Sequence, residues 1–246
     1  MPTAIRHRTD LVADQRAHPP FGSRSFAIDD PPVRVGVTGT GDDLLLLAWS
    51  ATDLAREIEA GTRVLGRLGV RSGLRVGNTL PGALATPGAL LLGDVNEAIG
   101  ALDVPLGTVE TETAARAAWE LVDRVHCQVL ILVPESAGIF LRAAPDVPRP
   151  WLEGVVWLRR AGAGAAPTAP AGFGGWQRTW LAVPEVASFA AGSCDRGPLH
   201  ADSGAGAEIV DGTLVLAPRG GGAFATGIAV RPARCPCGAG EPAFEL

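Results

Sequence analysis

Three cysteines and one histidine in the last quarter of the chain have the types and spacing of a metal site. Cys194 and His200 are separated as C-x5-H, and Cys235-Pro-Cys237-Gly238 follows much later as C-x-C with a glycine behind it. Zn2+ takes four soft or borderline ligands in a tetrahedron. Three thiolates and one imidazole complete a structural set with no open position for water. The glycine lets backbone N–H groups turn toward the thiolates, as a tight metal knuckle requires. Between the two pairs, residues 207–217 read as two short strands around an Asp211-Gly212 turn. That hairpin is expected to bring the Cys194/His200 end to the Cys235/Cys237 end. Two other readings of the same residues stand: a disulfide, for which Cys235 and Cys237 are too close for easy closure, and three idle thiols.

A chain of 246 residues has room for one large domain or two small ones around a sizeable core. Hydrophobic residues make up 47% and the formal net charge is −5, a mildly acidic balance that argues against a nucleic-acid surface. No apolar run approaches the ~18 residues of a membrane span. The polar start Pro2-Thr-Ala-Ile-Arg-His-Arg8 lacks the pattern of a secretory signal. Four cysteines, with Cys127 left over from the metal set, fit a reducing cytoplasm. All 21 basic residues are arginine; the sequence contains no lysine.

The ligands need elements to position them. Residues 1–33 read as an irregular, proline-punctuated lead-in lying on the main domain. Over residues 34–160, strands alternate with helices. A strand at 34–37 precedes a loop holding Thr38, Gly39, Thr40, Gly41, Asp42 and Asp43, and an apolar strand covers 44–47. Ser50 and Asp53 read as a capping box opening a helix with Leu54, Ile58, Leu65 and Leu68 on one stripe. A strand at 74–79, a helix within 84–101, a short strand at 104–106 and a helix at 111–125 follow, the last with Trp119 and Val122 inward. The unbroken apolar runs 127–133 and 155–158 suit parallel strands covered on both faces, the first of them central. The expected fold class is α/β, a mixed or parallel sheet with flanking helices. Residues 161–178 form an Ala/Gly/Pro-rich loop in this reading, and 179–246 a small β-rich, zinc-clipped subdomain.

The order of elements and short motifs resembles the phenylacetate–CoA ligase branch of the adenylate-forming enzymes, a branch that includes members with a Cys/His zinc site. The stretch from Asp10 to Pro20-Phe21-Gly22 is similar to the family's opening segment, and residues 34–50 stand where the family has its phosphate loop and a strand. Trp180-Leu-Ala-Val-Pro184-Glu185 stands at the aromatic–Glu motif. Gly197-Pro-Leu-His200 resembles Gly-Leu-His, Ala225-Thr226-Gly227-Ile228 replaces Arg-Thr-Gly-Asp, and Cys235-Pro-Cys237-Gly238 matches Cys-Pro-Cys-Gly. The resemblance implies the N-terminal-domain portion of the adenylate-forming fold. It also implies that a chain ending at Leu246 lacks the mobile C-terminal domain and its catalytic lysine.

The departures point away from adenylation. Asp42 and Asp43 replace the loop's Gly-Lys and repel a triphosphate. Ile228 replaces the ribose-binding aspartate, and no lysine exists to compensate, so no ATP is expected as a cofactor. Glu185, which stands at the family's metal-bridging acid, is the catalytic candidate, with capping of a nearby amide as its structural alternative. Thr38, Gly39, Thr40 and Gly41 could bind an anionic substrate through backbone N–H groups, or persist as a turn without a ligand. Trp180, with Trp176, could line an aromatic pocket or pack in the core. His126 reads as a hydrogen-bonded core or edge histidine, and Cys127 as a buried small hydrophobe. Arg159-Arg160 reads as a carboxylate grip or a solvated strand end.

Two function classes compete. One is a repurposed enzyme performing ATP-independent cyclisation, dehydration or isomerisation on an aryl or acyl carboxylate or thioester-like intermediate. The other is a non-catalytic pseudoenzyme that binds or scaffolds a biosynthetic partner protein. A CoA ligase completed by a partner chain is the third reading. The expected partners are a small-molecule acid or thioester, a homodimer mate or a biosynthetic protein, with no nucleic acid and no membrane.

Overall fold

The computed structural model describes residues 5–80, 87–161, 173–217, 222–239 and 242–246. The lead-in, expected to be irregular, contains a helix, α1 (Arg8–Ala17), whose first turn is fixed by the His7 N–H donating to the Asp10 carboxylate at 2.7 Å. Only Val12 of this helix is buried, so its apolar stripe is too narrow to announce it in the sequence.

Strands β1 (Pro32–Thr38) and β2 (Leu45–Ser50) form an antiparallel hairpin of their own, with Thr38 opposite Leu45. Ser50 caps the helix α2 (Ala51–Arg67) that follows. The Asp53 N–H donates to Ser50 Oγ at 3.2 Å, and the Ser50 N–H donates to the Asp53 carboxylate at 3.0 Å, the reciprocal pair the sequence predicts.

The main sheet begins with β3 (Arg75–Asn78), α3 (Pro87–Ile99), β4 (Leu102–Pro105), α4 (Glu112–Val125), β5 (Val129–Leu132), α5 (Pro134–Arg142), β6 (Gly154–Arg159) and β7 (Trp176–Val183). These five strands are parallel in the order β7-β6-β5-β3-β4, with β5 in the middle as expected. Side chains on β5 alternate between two buried layers. Val129 and Ile131 pack with α2 and α3 through Leu65, Leu91 and Val95, whereas Leu130 and Leu132 pack with α4 and α5 through Trp119, Val122 and Phe140. Coverage on both faces is why the run is continuous rather than alternating.

The sheet continues antiparallel through β8 (Ala187–Ser193) and β9 (Leu199–Ala201). The chain then leaves to build a three-stranded sheet from β10 (Ala207–Val210), β11 (Thr213–Leu216) and β12 (Phe224–Ala229). It returns through β13 (Arg231–Pro232) and β14 (Ala243–Glu245), which close the sheet beside β9. Among the described residues the main sheet thus has nine strands, in the order β13-β14-β9-β8-β7-β6-β5-β3-β4. A third buried cluster joins its antiparallel half to the small sheet through Leu181, Leu199, Leu214, Leu216 and Phe224. Residues 179–246 are therefore divided between two sheets. Residues 162–172 of the Ala/Gly/Pro stretch lie outside the described residues, and Trp176, Gln177 and Arg178 already belong to β7.

Candidate metal centre

Cys194 follows directly on β8 in a tight turn, where its N–H donates to the Pro198 carbonyl at 3.1 Å and Gly197 adopts φ 104°. His200 is the buried middle residue of β9. Strand β14 pairs with β9, placing Ala243 opposite His200, and so draws the preceding loop with Cys235 and Cys237 over the same point. Gly238, at φ 73°, turns the chain immediately after the last cysteine. The four ligand atoms lie within 4.8 Å of one another. Cys194 Sγ is 3.5 Å from Cys235 Sγ, and Cys237 Sγ is 3.2 Å from His200 Nε2.

A tetrahedral ion with bonds of about 2.3 Å to sulfur and 2.0–2.1 Å to nitrogen sets S···S edges near ~3.8 Å and S···N edges near ~3.6 Å. The four residues fit one such ion. The fit leaves Cys127 aside, buried two residues before the central strand, where desolvation pushes its thiol up to about 11.

One element of the expectation is corrected. The hairpin of β10 and β11 does form around Asp211 (φ 49°) and Gly212 (φ 72°), the left-handed pair its turn requires. It belongs, however, to the separate three-stranded sheet. The ligand pairs are brought together instead by β14 pairing with β9, a contact between short strands without a sequence signature.

The loop expected to bind an anion is the tip of the β1–β2 hairpin, with a 3-10 turn over Gly41–Asp43. Its inner side is occupied by Arg8 from the first turn of α1. Arg8 Nη2 donates to the carbonyls of Thr38 at 3.1 Å and Asp43 at 2.6 Å, and Nε lies 3.3 Å from Asp43 Oδ2. The same guanidinium donates through Nη1 to Glu185 Oε1. Glu185 stands in the tight turn joining β7 to β8, its side chain only 10% exposed. A Cβ at Gly39 would overlap both the Arg8 guanidinium and the Asp43 carbonyl, so glycine is required there by packing as well as by its φ of 79°. Arg16, from the last turn of α1, donates to the Asp42 carbonyl. The structure thus brings Thr38, Gly39 and Glu185 together, through an arginine that sequence reasoning passed over.

Other expected site residues are elsewhere. Trp180 is fully buried, its ring stacked on Phe189 at 4.6 Å between centroids and its Nε1 donating to the Ser188 carbonyl; it fills the core rather than lining a pocket. Trp176 packs partly buried under the Arg178 guanidinium. His126 is an exposed left-handed cap of α4 stacked on Trp151, not a core histidine. Ile228 and the Arg159-Arg160 pair line a cavity of about 210 Å³ with Leu181, Gly227, Ala229 and Leu246.

No protein-family model and no curated protein sequence matches the chain. Among solved structures it is similar to 2-hydroxyisobutyryl-CoA ligase in an open conformation in complex with 2-HIB-AMP and CoA, with a TM-score of 0.81 at 16% identity. That match covers 99% of this chain and 62% of the other. The same ligase in its postadenylation state in complex with 2-HIB-AMP gives a TM-score of 0.81 at 16% identity, covering 99% and 56%. In its thioesterification state with 2-HIB-AMP and CoA, it gives 0.79 at 17%, covering 99% and 57%. The chain spans less than two thirds of the length of these structures, and over that span it has the fold of an acyl-CoA ligase.

Proposed function

We propose that this chain is a zinc-containing, phenylacetate–CoA ligase-like domain that has lost adenylation and acts on an aryl or acyl carboxylate, or a thioester-like intermediate, without ATP. The observation that carries the reading is Arg8, which fills the inner side of the hairpin loop and joins Asp43 to Glu185. A triphosphate entering that loop would meet Asp42 and Asp43 and would have to displace Arg8 from three partners. At an effective dielectric of about 20, a carboxylate about 4 Å from a phosphate charge costs on the order of 4 kcal/mol before Mg2+ and solvent offset it. Ile228 offers no hydroxyl acceptor, and the sequence has no lysine to neutralise phosphate charge. The cavity lined in part by Arg159 and Arg160 is the place in this reading for a small-molecule acid. Glu185, released from Arg8, is the acid–base candidate for cyclisation, dehydration or isomerisation. The second reading, a non-catalytic binding partner in biosynthesis, is favoured by the same ion pair if Arg8 never leaves Glu185.

Thermal-shift measurements with Mg·ATP and with a panel of aryl and acyl acids and their CoA thioesters separate these readings. The expected result is no shift with Mg·ATP and a shift with at least one acid or thioester. Stabilisation by micromolar Mg·ATP, with pyrophosphate exchange on any carboxylate, would instead establish a ligase completed by a partner. A bound acid that is turned over by the unaltered chain but not by Glu185→Gln identifies the enzyme; binding without turnover identifies the partner role.

A further inference from the structure

Helix α2 ends beside the metal centre, and two of its arginines, one turn apart, reach into the segments that carry the ligands. Arg63 pairs with Asp202 through two hydrogen bonds, Nε to Oδ1 at 2.7 Å and Nη2 to Oδ2 at 3.0 Å; the Asp202 side chain is 1% exposed. This pair fastens the helix to the chain two residues beyond His200 rather than to the Cys235/Cys237 loop. Arg67 is different. Its Nη1 donates to the main-chain carbonyl of His200 at 2.8 Å and its Nη2 to the carbonyl of Ala239, two residues past Cys237, at 3.5 Å. One planar guanidinium therefore spans both halves of the ligand set, which the chain supplies 35 positions apart, from His200 to Cys235. Arg67 is itself held in place, because its carbonyl accepts from Arg178 Nη1 at 3.1 Å.

We propose that Arg67 is the positioning residue of the metal centre, holding the His200 strand and the Cys235/Cys237 loop at the separation a single ion needs and balancing the charge of the loaded site. The proposal rests on the zinc reading of the four ligands. Three thiolates and a neutral imidazole around Zn2+ leave one net negative charge, and a half-buried guanidinium nearby offsets it. A guanidinium suits the place better than an ammonium, since its fixed fork addresses two carbonyls at once.

The test is the zinc dissociation constant of the full chain, read by competition with a chromogenic chelator. Arg67→Met is expected to weaken zinc about tenfold or more, the usual cost of losing an outer-shell partner. Arg67→Lys is expected to lose less, because charge and one hydrogen bond remain. The Co2+-substituted spectrum should keep its tetrahedral thiolate bands in both, since no ligand changes. Asp94→Asn, which breaks the Arg34–Asp94 pair at 2.6 Å away from the ligands, should leave zinc affinity unchanged. A purely structural Arg67 would lower the melting temperature without moving the zinc constant, so an Arg67→Met affinity within twofold of the unaltered chain overturns the proposal. Should Arg67→Met fail to fold, Arg67→Lys decides, with a threefold loss supporting and no loss refuting. Failure of the unaltered chain to bind zinc would remove the metal reading as well, a result distinct from equal, tight binding in both chains.

Discussion

Glu57 is the acid most at odds with its surroundings. It lies on the face of α2 that packs on β8, accepting the Ser188 N–H at 3.0 Å. Burial raises its pKa above the ordinary range, hydrogen bonding from Ser188 opposes that shift, and Asp53 and Asp202 add repulsion. A folded-state pKa above the unfolded value means that the native chain keeps the proton longer. The associated stability is then full below the unfolded pKa of about 4.3 and is lost as pH rises through the folded value. Glu57→Gln removes the charge and retains an acceptor for the Ser188 N–H. Urea titrations should show the variant more stable than the parent at about pH 8, with the gain shrinking toward pH 4. A pH-independent difference would mean that Glu57 carries no linkage. At this scale the Cys194, His200, Cys235 and Cys237 cluster was legible, because soft side chains in short-range pairs are a local signal. Arg8 and Arg67 were not, since an arginine bonded to distant main-chain carbonyls leaves no mark on the residues it serves.

Among the elements, the strongest local signals held and the parallel pairing around β5 formed as expected, whereas the pairings of the short edge strands left no trace in the sequence. The Ser50/Asp53 box and the apolar run around β5 are specified by neighbours in sequence, and both stand where expected. Strand β8 was missed for a packing reason. Its residues Ala-Ser-Phe-Ala-Ala-Gly-Ser have low strand propensity, yet all are buried, because α2 lies so close that a Cβ at Gly192 would press on Val64 and Leu68. The Asp211-Gly212 hairpin was read correctly as a hairpin, but its sheet is decided by β12, far along the chain. The distinction can be measured. Gly212→Val places a β-branched residue at φ 72°, where the new Cβ would lie 3.9 Å from the Val230 carbonyl oxygen in ordinary contact, so the cost is backbone strain of about 1–2 kcal/mol. Denaturant unfolding should show that loss while the variant's zinc affinity stays equal to the parent's. Loss of zinc together with stability would return the clipping role to the hairpin.

Across the whole molecule, the two ends of the main sheet are secured by different means. The parallel half is held by helices on both faces, whereas the far antiparallel edge rests on β13 and β14, strands of two and three residues. Such short strands contribute few ladder bonds, so a metal held by the Cys/His cluster shared between the turn after β8, β9 and the loop before β14 would fasten this edge. A metal bound only by the folded chain stabilises by RT ln(1 + [L]/Kd), about 2.7 kcal/mol at a hundredfold excess over Kd. Chelation should therefore lower the melting temperature and open this edge first. Thiol chemistry reports where the opening occurs. In the metal-loaded chain, an aromatic disulfide reagent at neutral pH should label none of the four cysteines quickly. After chelation, Cys194, Cys235 and Cys237 should react, while Cys127 stays silent until denaturant is added, because it is fully buried under the central sheet and its thiol is pushed up to about 11. Three thiols released by chelation and a fourth by unfolding would place the metal at the sheet edge and leave the parallel core intact without it. Simultaneous reaction of all four would show that the core itself depends on the ion.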